Sequence, residues 1–134
     1  MSVKAKSFIP TSTELRILNS LWQLGEATVD QIVNSFPPRK RPNYKTTQTF
    51  LRIMEQKGFV KHAVLGRVFV FKAIVSKESI DRQSVKVLLT QNFGGSARGL
   101  LINLLESDAI AASDLEAIEH KIQEYRNRKK GQSN

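Results

Sequence analysis

Four hydrogen-bonding side chains recur at helical spacing between Tyr44 and Lys57. They are Lys45, Gln48, Thr49 and Arg52, at positions i, i+3, i+4 and i+7. A helix would place all of them on one face. An amide such as Gln48 can pair with adenine, a guanidinium such as Arg52 with guanine or a phosphate, and the methyl group of Thr49 can contact thymine. The spacing therefore predicts a helix that contacts base edges in the major groove of DNA.

Basic residues stand on both sides of this segment. Arg39, Lys40 and Arg41 precede it, and Lys61 and Arg67 follow it near the end of a predicted hairpin. Groups that flank a helix in the major groove contact phosphates, so we expect these five side chains to position the protein on DNA. An ordinary solvated face is the alternative, but the outer face of the helix carries no acid before Glu55.

The charge distribution favours a polyanionic partner. The 134-residue chain has a net charge of +9, and residues 1–75 contain 12 basic and 4 acidic side chains against 9 and 8 in residues 76–134. A charge that served only solubility would have no reason to favour one half. The basic half is also the half that contains the predicted DNA-contacting helix.

Several classes of function are disfavoured. The chain has no cysteine, which excludes disulfides, thiolate catalysis and cysteine-based metal sites. It also has no phosphate-binding glycine-rich loop and no cluster of His, Asp and Glu at ligand spacing. We therefore expect no enzymatic activity, no metal and no cofactor.

Residues 1–6 have no apolar signal core behind their lysines, and no apolar run reaches the length of a membrane span, so we expect a cytoplasmic protein without membrane insertion.

The elements that would position the predicted helix are marked by capping signals. Thr11 with Glu14, and Thr28 with Gln31, are capping boxes that begin two earlier helices. Prolines 37 and 38 end the second helix. The third helix runs from Tyr44 to Lys57 and is ended by the glycine that follows it at position 58. Its inward face is formed by Thr47, Phe50, Leu51 and Met54. Residues 59–64 and 68–72 are β-rich runs joined by a short glycine turn, which predicts a hairpin.

Three helices followed by a hairpin is the order of a winged helix. We predict an α+β, mostly helical fold, with a winged helix–turn–helix DNA-binding domain over residues 1–75. Residues 76–134 are predicted to form a helical dimerisation region with a basic C-terminal tail. Its helices are expected over about 76–92 and 96–106, with a third that begins at a capping box from Ser113 to Glu116.

The C-terminal helices are rich in apolar side chains that one small domain cannot easily cover. We expect a second copy of the chain to bury them, giving a homodimer. The predicted dimerisation residues are Phe93, Leu100, Leu101, Leu104, Leu105, Leu115, Ile118 and Ile122. The alternative is that this region packs back on its own winged-helix domain.

The chain resembles the BlaI/MecI/CopY family of penicillinase-type repressors along nearly its whole length. The stretches that carry the resemblance are residues 14–18, 21–22, 28–32, 44–51, 56–60 and 93–96 with the leucine helix that follows. The resemblance implies a homodimer with intertwined C-terminal helices that binds a palindromic double-stranded DNA operator and blocks transcription. The recognition-helix positions of the family fall on the four side chains named above and on Thr46.

Two departures limit what the resemblance implies about regulation. Copper-responsive members carry a C-terminal cysteine motif, and the absence of cysteine excludes that mechanism here. In β-lactam-responsive members induction involves proteolysis in the C-terminal region, at an Asn–Phe bond, and our hypothesis for this chain is that a membrane sensor protease cuts at the corresponding place. Asn103 and Leu104 occupy that place in this chain, which makes them a candidate cleavage site; the alternative is that Leu104 is a plain core residue.

Two other functions remain open from the residues alone. One is a winged-helix regulator of another family, controlled by a small-molecule ligand in a pocket between the DNA-binding and dimerisation parts. The other is a winged-helix module that binds protein, which would not need the polar face of the third helix or the basic loop ahead of it.

Overall fold

The computed structural model describes residues 9–132, and its element order is that of a winged helix followed by a helical region. The helices are α1 (Ser12–Leu24), α2 (Val29–Ser35), α3 (Tyr44–Lys57), α4 (Lys77–Asn92), α5 (Ala97–Glu106) and α6 (Leu115–Gln132). The strands are β1 (Ala27–Thr28), β2 (Val60–Leu65) and β3 (Val68–Ala73). Single 3-10 turns span Pro38–Lys40 and Ala112–Asp114. The predicted fold class is confirmed.

Both capping boxes predicted for the N-terminal helices are present. The Thr11 hydroxyl accepts from the Glu14 amide at 3.2 Å, and a Glu14 carboxylate oxygen accepts from the Thr11 amide at 3.0 Å. Thr28 and Gln31 make the same reciprocal pair at 3.2 and 2.9 Å. The bounds of α3 are those predicted, and Gly58 ends it in the left-handed region with φ 88°.

The sheet has three strands in the order β1-β3-β2, all antiparallel. The hairpin register runs from Val60 opposite Ala73 to Leu65 opposite Val68. The outer strand β1 pairs Ala27 with Phe71. Its two residues are too few to show an alternating pattern, which is why the sequence did not predict it.

One apolar core joins α1, α2, α3 and the base of the hairpin. Its most buried members are Ile17, Leu18, Leu21, Ile32, Leu51, Met54 and Val60. The predicted inward face of α3 is therefore confirmed, with Thr47 also fully buried and Phe50 partly buried. The indole Nε1 of Trp22 donates to the Val75 carbonyl at 3.0 Å, which fastens α1 to the chain just after the sheet.

A buried ion pair connects the beginning of α1 to the end of α3. The Glu14 residue is 1% exposed, and the Lys57 ammonium lies 2.9 and 3.1 Å from its two carboxylate oxygens. A carboxylate buried this completely needs a partner of opposite charge. The pair therefore fixes where the C-terminal end of α3 lies against α1.

The chain divides into two compact units inside α4, between Lys86 and Val87. The predicted domain boundary after residue 75 remains a prediction. In the second unit the Ser96 hydroxyl caps α5 by accepting from the Gly99 amide at 2.9 Å. The capping box predicted at Ser113 is wrong, because that residue lies inside the 3-10 turn that precedes α6.

Within residues 9–132, no helix has both the length and the apolar character needed to cross a membrane.

Removing the ammonium of Lys57 should destabilise the winged-helix domain. We expect Lys57→Ala to lower the free energy of unfolding by about 2–3 kcal/mol, less than for a fully buried pair because the lysine side chain is 28% exposed. Urea denaturation followed by circular dichroism, at one protein concentration, measures the change. Lys77→Ala is the matched control, since it breaks an exposed pair with Asp81. Equal effects of the two substitutions would contradict a structural role for the buried pair.

Candidate nucleic-acid interface

The outer face of α3 is solvent-exposed along its length. Lys45, Thr46, Gln48, Thr49 and Arg52 are all exposed, whereas the residues between them face the core. The N-terminus of α3 is fixed by Asn43, whose Oδ1 accepts from the Thr46 amide at 2.7 Å. The Thr47 hydroxyl donates to the Asn43 carbonyl at 3.0 Å. The polar face is thus held on a helix that is anchored at both ends, by Asn43 and by Lys57.

One residue of the basic loop between α2 and α3, Arg41, makes hydrogen bonds that stabilise the loop. The Nη2 atom of Arg41 donates to the carbonyls of Asn34 and Phe36, both at 3.1 Å. These carbonyls lie at the C-terminal end of α2, where helix carbonyls lack partners within the helix. Arg41 therefore ties the turn to α2, a role that the sequence did not reveal. The side chains of Arg39 and Lys40 lie on the exposed 3-10 turn.

The two predicted basic residues of the hairpin, Lys61 and Arg67, lie at different distances from its turn. Arg67 is in the turn between β2 and β3 and is exposed. Lys61 is the second residue of β2, near the base, where it lies opposite Lys72 in the register. Only Arg67 therefore lies at the tip of the wing, the name we use for this hairpin.

A cleft of about 370 Å³ lies between the outer face of α3 and the wing. Tyr44, Gln48 and Arg52 line it from α3, and Arg67 lines it from the wing turn. The structure thus brings three of the predicted DNA-contacting residues to one surface. The other predicted basic residues, Arg39, Lys40, Arg41, Lys45 and Lys61, are not part of its lining.

Two side chains of this cleft were not predicted to matter. Glu55, on the last turns of α3, lies 2.7 Å from Nδ1 of His62 on β2. The imidazole ring is stacked on Phe69, with ring centroids 4.3 Å apart and planes inclined by 15°. No sequence pattern assigns a function to His62, since a single exposed histidine usually has none. Its pairing depends on how the hairpin folds against α3, which no local pattern encodes.

The arrangement suits the binding of phosphates and base edges. It combines exposed guanidinium and ammonium groups with an amide and hydroxyls on one rigid helix, which are the donors and acceptors that DNA recognition uses. Among residues 9–132, His, Asp and Glu do not form a group of three that could hold a metal ion.

The predicted dimerisation residues are incompletely covered in the single chain. Leu101, Leu105, Leu115 and Ile122 are exposed, while Phe93, Leu100, Leu104 and Ile118 are half-buried. Asn103, the first residue of the candidate cleavage site, is exposed in the middle of α5.

Known proteins resemble this chain over most of its length. The sequence profile of the family described as "Penicillinase repressor" matches residues 10–124. The penicillinase repressor of Bacillus licheniformis is 22% identical over 120 residues, which cover 90% of this chain and 94% of that protein. The methicillin resistance regulatory protein MecI of Staphylococcus aureus (strain N315) is 20% identical, with coverage of 84% and 92%. A solution structure of the DNA-binding domain of the repressor BlaI aligns with a TM-score of 0.47 and 23% identity, over 52% of this chain and 85% of that one.

Proposed function

Since the chain belongs to the penicillinase repressor family, we propose that it is a cytoplasmic, homodimeric repressor that binds a palindromic DNA operator. Family membership and the winged-helix fold support a transcriptional repressor. In this proposal sequence-specific contact, dimerisation and regulation each depend on a different set of residues.

The exposed polar face of α3 is the observation that carries the DNA-binding proposal. Its side chains project from a helix whose opposite face is buried in the core, so their positions are fixed before DNA is bound. Preorganised donors lose little freedom on binding, which favours contacts with particular bases. In this proposal Gln48 and Arg52 contact base edges, and Arg39, Lys40 and Arg67 contact phosphates that set the register.

Substitutions on α3 should weaken binding and relax its sequence preference. We expect Gln48→Ala and Arg52→Ala each to cost about 1–3 kcal/mol of binding free energy on the duplex that the wild-type chain enriches from a randomised library. Fluorescence anisotropy with labelled duplex measures the loss. Gln23→Ala and Arg16→Ala remove the same side chains from the exposed surface of α1 and are the matched controls. If all four variants bind alike, α3 is not the recognition helix.

Exposed apolar side chains support dimerisation through the C-terminal unit. Leu101 and Ile102 are each 41% exposed and Leu105 is 49% exposed on α5, and Leu115 and Ile122 are 40% and 41% exposed on α6. An apolar surface that recurs along two successive helices is characteristic of a protein interface. On α6 the apolar residues follow a 3-4-3 spacing, which suits packing against another helix. A second copy would cover these faces and place two copies of α3 on the two halves of a palindrome.

A charge placed in the apolar seam of α6 should separate the dimer. We expect the wild-type chain to sediment as a dimer at micromolar concentration and Ile122→Asp to shift it towards monomer, because the carboxylate would lose its hydration in the interface. Gln123→Asp, one residue along and exposed, is the control and should remain dimeric. Analytical ultracentrifugation distinguishes the two, and a wild-type chain that is strictly monomeric would refute this part of the proposal.

Regulation by a membrane sensor protease would act at the bond between Asn103 and Leu104. The Asn103 carbonyl accepts from the Ser107 amide at 3.0 Å and from its hydroxyl at 2.8 Å, so this peptide bond lies within hydrogen-bonded helix. A protease needs an extended segment, so cleavage requires α5 to unwind locally. Cutting here would remove α6 from the dimerisation region and weaken operator binding.

Blocking cleavage should block induction in cells. We expect Asn103→Asp, or Leu104→Ile, which keeps an apolar side chain among the dimerisation residues, to leave the full-length repressor intact after the inducing stimulus and the target promoter silent, because the altered bond would no longer fit the protease. Immunoblotting and a promoter reporter measure the two effects. Asn127→Asp makes the same change on α6, outside the candidate site. Normal induction in the variants at residues 103 and 104 would rule out cleavage at this bond.

A further inference from the structure

We propose that Glu55 and His62 form a clasp that holds the wing against α3 and thereby positions Arg67 for contact with DNA. The inference rests on the proposed DNA-binding function and deepens it, because it assigns positioning residues to a surface whose contacting residues were proposed above.

The outer half of the wing has no core beneath it. Val60 and Phe71, at the base of the hairpin, are buried, but towards the tip Val64 is 60% exposed and Leu65 is 68% exposed. Two strands joined by a turn are only marginally stable by themselves in water. The direction in which the tip points must therefore be fixed by contacts other than core packing.

The imidazole of His62 supplies such contacts on two sides. Its Nδ1 atom is hydrogen-bonded to a carboxylate oxygen of Glu55 at 2.7 Å, across from β2 to α3. Its ring stacks on Phe69 with centroids 4.3 Å apart and lies 5.5 Å from the ring of Phe71, both on β3. In the register His62 is directly opposite Phe71, and Phe69 is the diagonal neighbour towards the tip. One side chain thus connects α3 to both strands of the wing.

Glu55 also needs this partner for electrostatic reasons. It lines the same cleft as Arg52 and Arg67, the two cations proposed to meet DNA, and Asp30 is the other carboxylate in that lining. A carboxylate close to a phosphate backbone repels it, and the repulsion is stronger than in bulk water for a carboxylate that is partly buried, as that of Glu55 is. The hydrogen bond from His62 engages the Glu55 carboxylate within the protein. Loss of His62 would release the wing and leave this carboxylate facing the DNA.

Arg67 depends on the clasp through the hairpin. It lies in the turn, five residues beyond His62 along the chain, and the two strands determine where that turn lies. If the strands tilt away from α3, the guanidinium moves away from the surface formed by Gln48 and Arg52. The clasp and Arg67 should therefore act as one unit in DNA binding.

A double-mutant cycle on the full chain tests this unit. The probe is the labelled duplex that the wild-type chain enriches from a randomised library, and affinities are measured at several salt concentrations. We expect His62→Ala and Arg67→Ala each to weaken binding by roughly threefold to tenfold and to reduce the salt slope by about 1, as for the loss of one phosphate contact. With Glu55→Gln added to both, so that no released carboxylate repels the DNA, the double variant should bind no more than about twofold more weakly than the Arg67→Ala variant, because the contact is already lost.

Companion variants separate the contributions. Glu55→Gln keeps a hydrogen-bonding partner for His62 but removes the negative charge, so it should bind the duplex at least as tightly as the wild type. His62→Phe keeps a ring on Phe69 without the hydrogen bond to Glu55, and should lose affinity although the hairpin remains folded. Lys72→Ala is the control, because Lys72 lies on the opposite face of the hairpin from His62. Any factor by which it weakens DNA binding should multiply with the factor for Arg67→Ala, since the two side chains act independently.

Hydrogen exchange provides a readout that does not depend on DNA. In His62→Ala the amides of residues 63–69 should exchange faster, while those of α1 keep their protection, because only the outer wing is released. Unchanged exchange in the wing would overturn the clasp.

The outcomes of the DNA experiments are also distinguishable. Losses that multiply in the double variant with Arg67→Ala, or wild-type affinity in His62→Ala, would overturn the clasp and leave the proposed function standing. A wild-type chain that enriches no duplex would refute the proposed function and this inference together.

Discussion

The orientation of α3 depends on one buried carboxylate. Glu14 caps its own helix by accepting from the Thr11 amide and accepts from the Lys57 ammonium at the far end of α3, with 1% of the residue exposed. A buried charge of this kind is tolerated only with its partner in place, so the first turn of α1 and the last turn of α3 must lie together. Asn43 fixes the other end of α3, and the polar face between the two ends has one direction in which to point.

Pairing of acidic side chains within the protein also explains why the basic half of the chain presents a positive surface. Residues 1–75 contain only 4 acidic side chains against 12 basic ones. Glu14 is enclosed with Lys57, and Glu55 is hydrogen-bonded to His62. Two of the four acids, Glu14 and Glu55, are therefore paired within the protein, whereas Lys45 and Arg52 are exposed. A surface of this kind attracts a polyanion such as a phosphate backbone.

The sequence predicted those features that neighbouring residues determine. Capping boxes at Thr11 and Thr28, the bounds of α3 and the division of its two faces all depend on contacts within a few positions of the chain, and all are confirmed. Contacts between distant segments were missed: Glu14 with Lys57 is separated by 43 residues, and the two-residue strand β1 exists only because β3 lies beside it. The box predicted at Ser113 is wrong because the preceding 3-10 turn includes that residue. The DNA and dimer contacts remain predictions, since each involves a second molecule.

The proposed repressor must distinguish a particular DNA sequence through α3. The most direct measurement compares its affinity for the duplex it enriches from a randomised library with its affinity for a duplex of the same length and composition in scrambled order, at physiological salt. We expect a preference of at least about 10³-fold, as specific DNA-binding proteins show. Equal affinities for the two duplexes would contradict it.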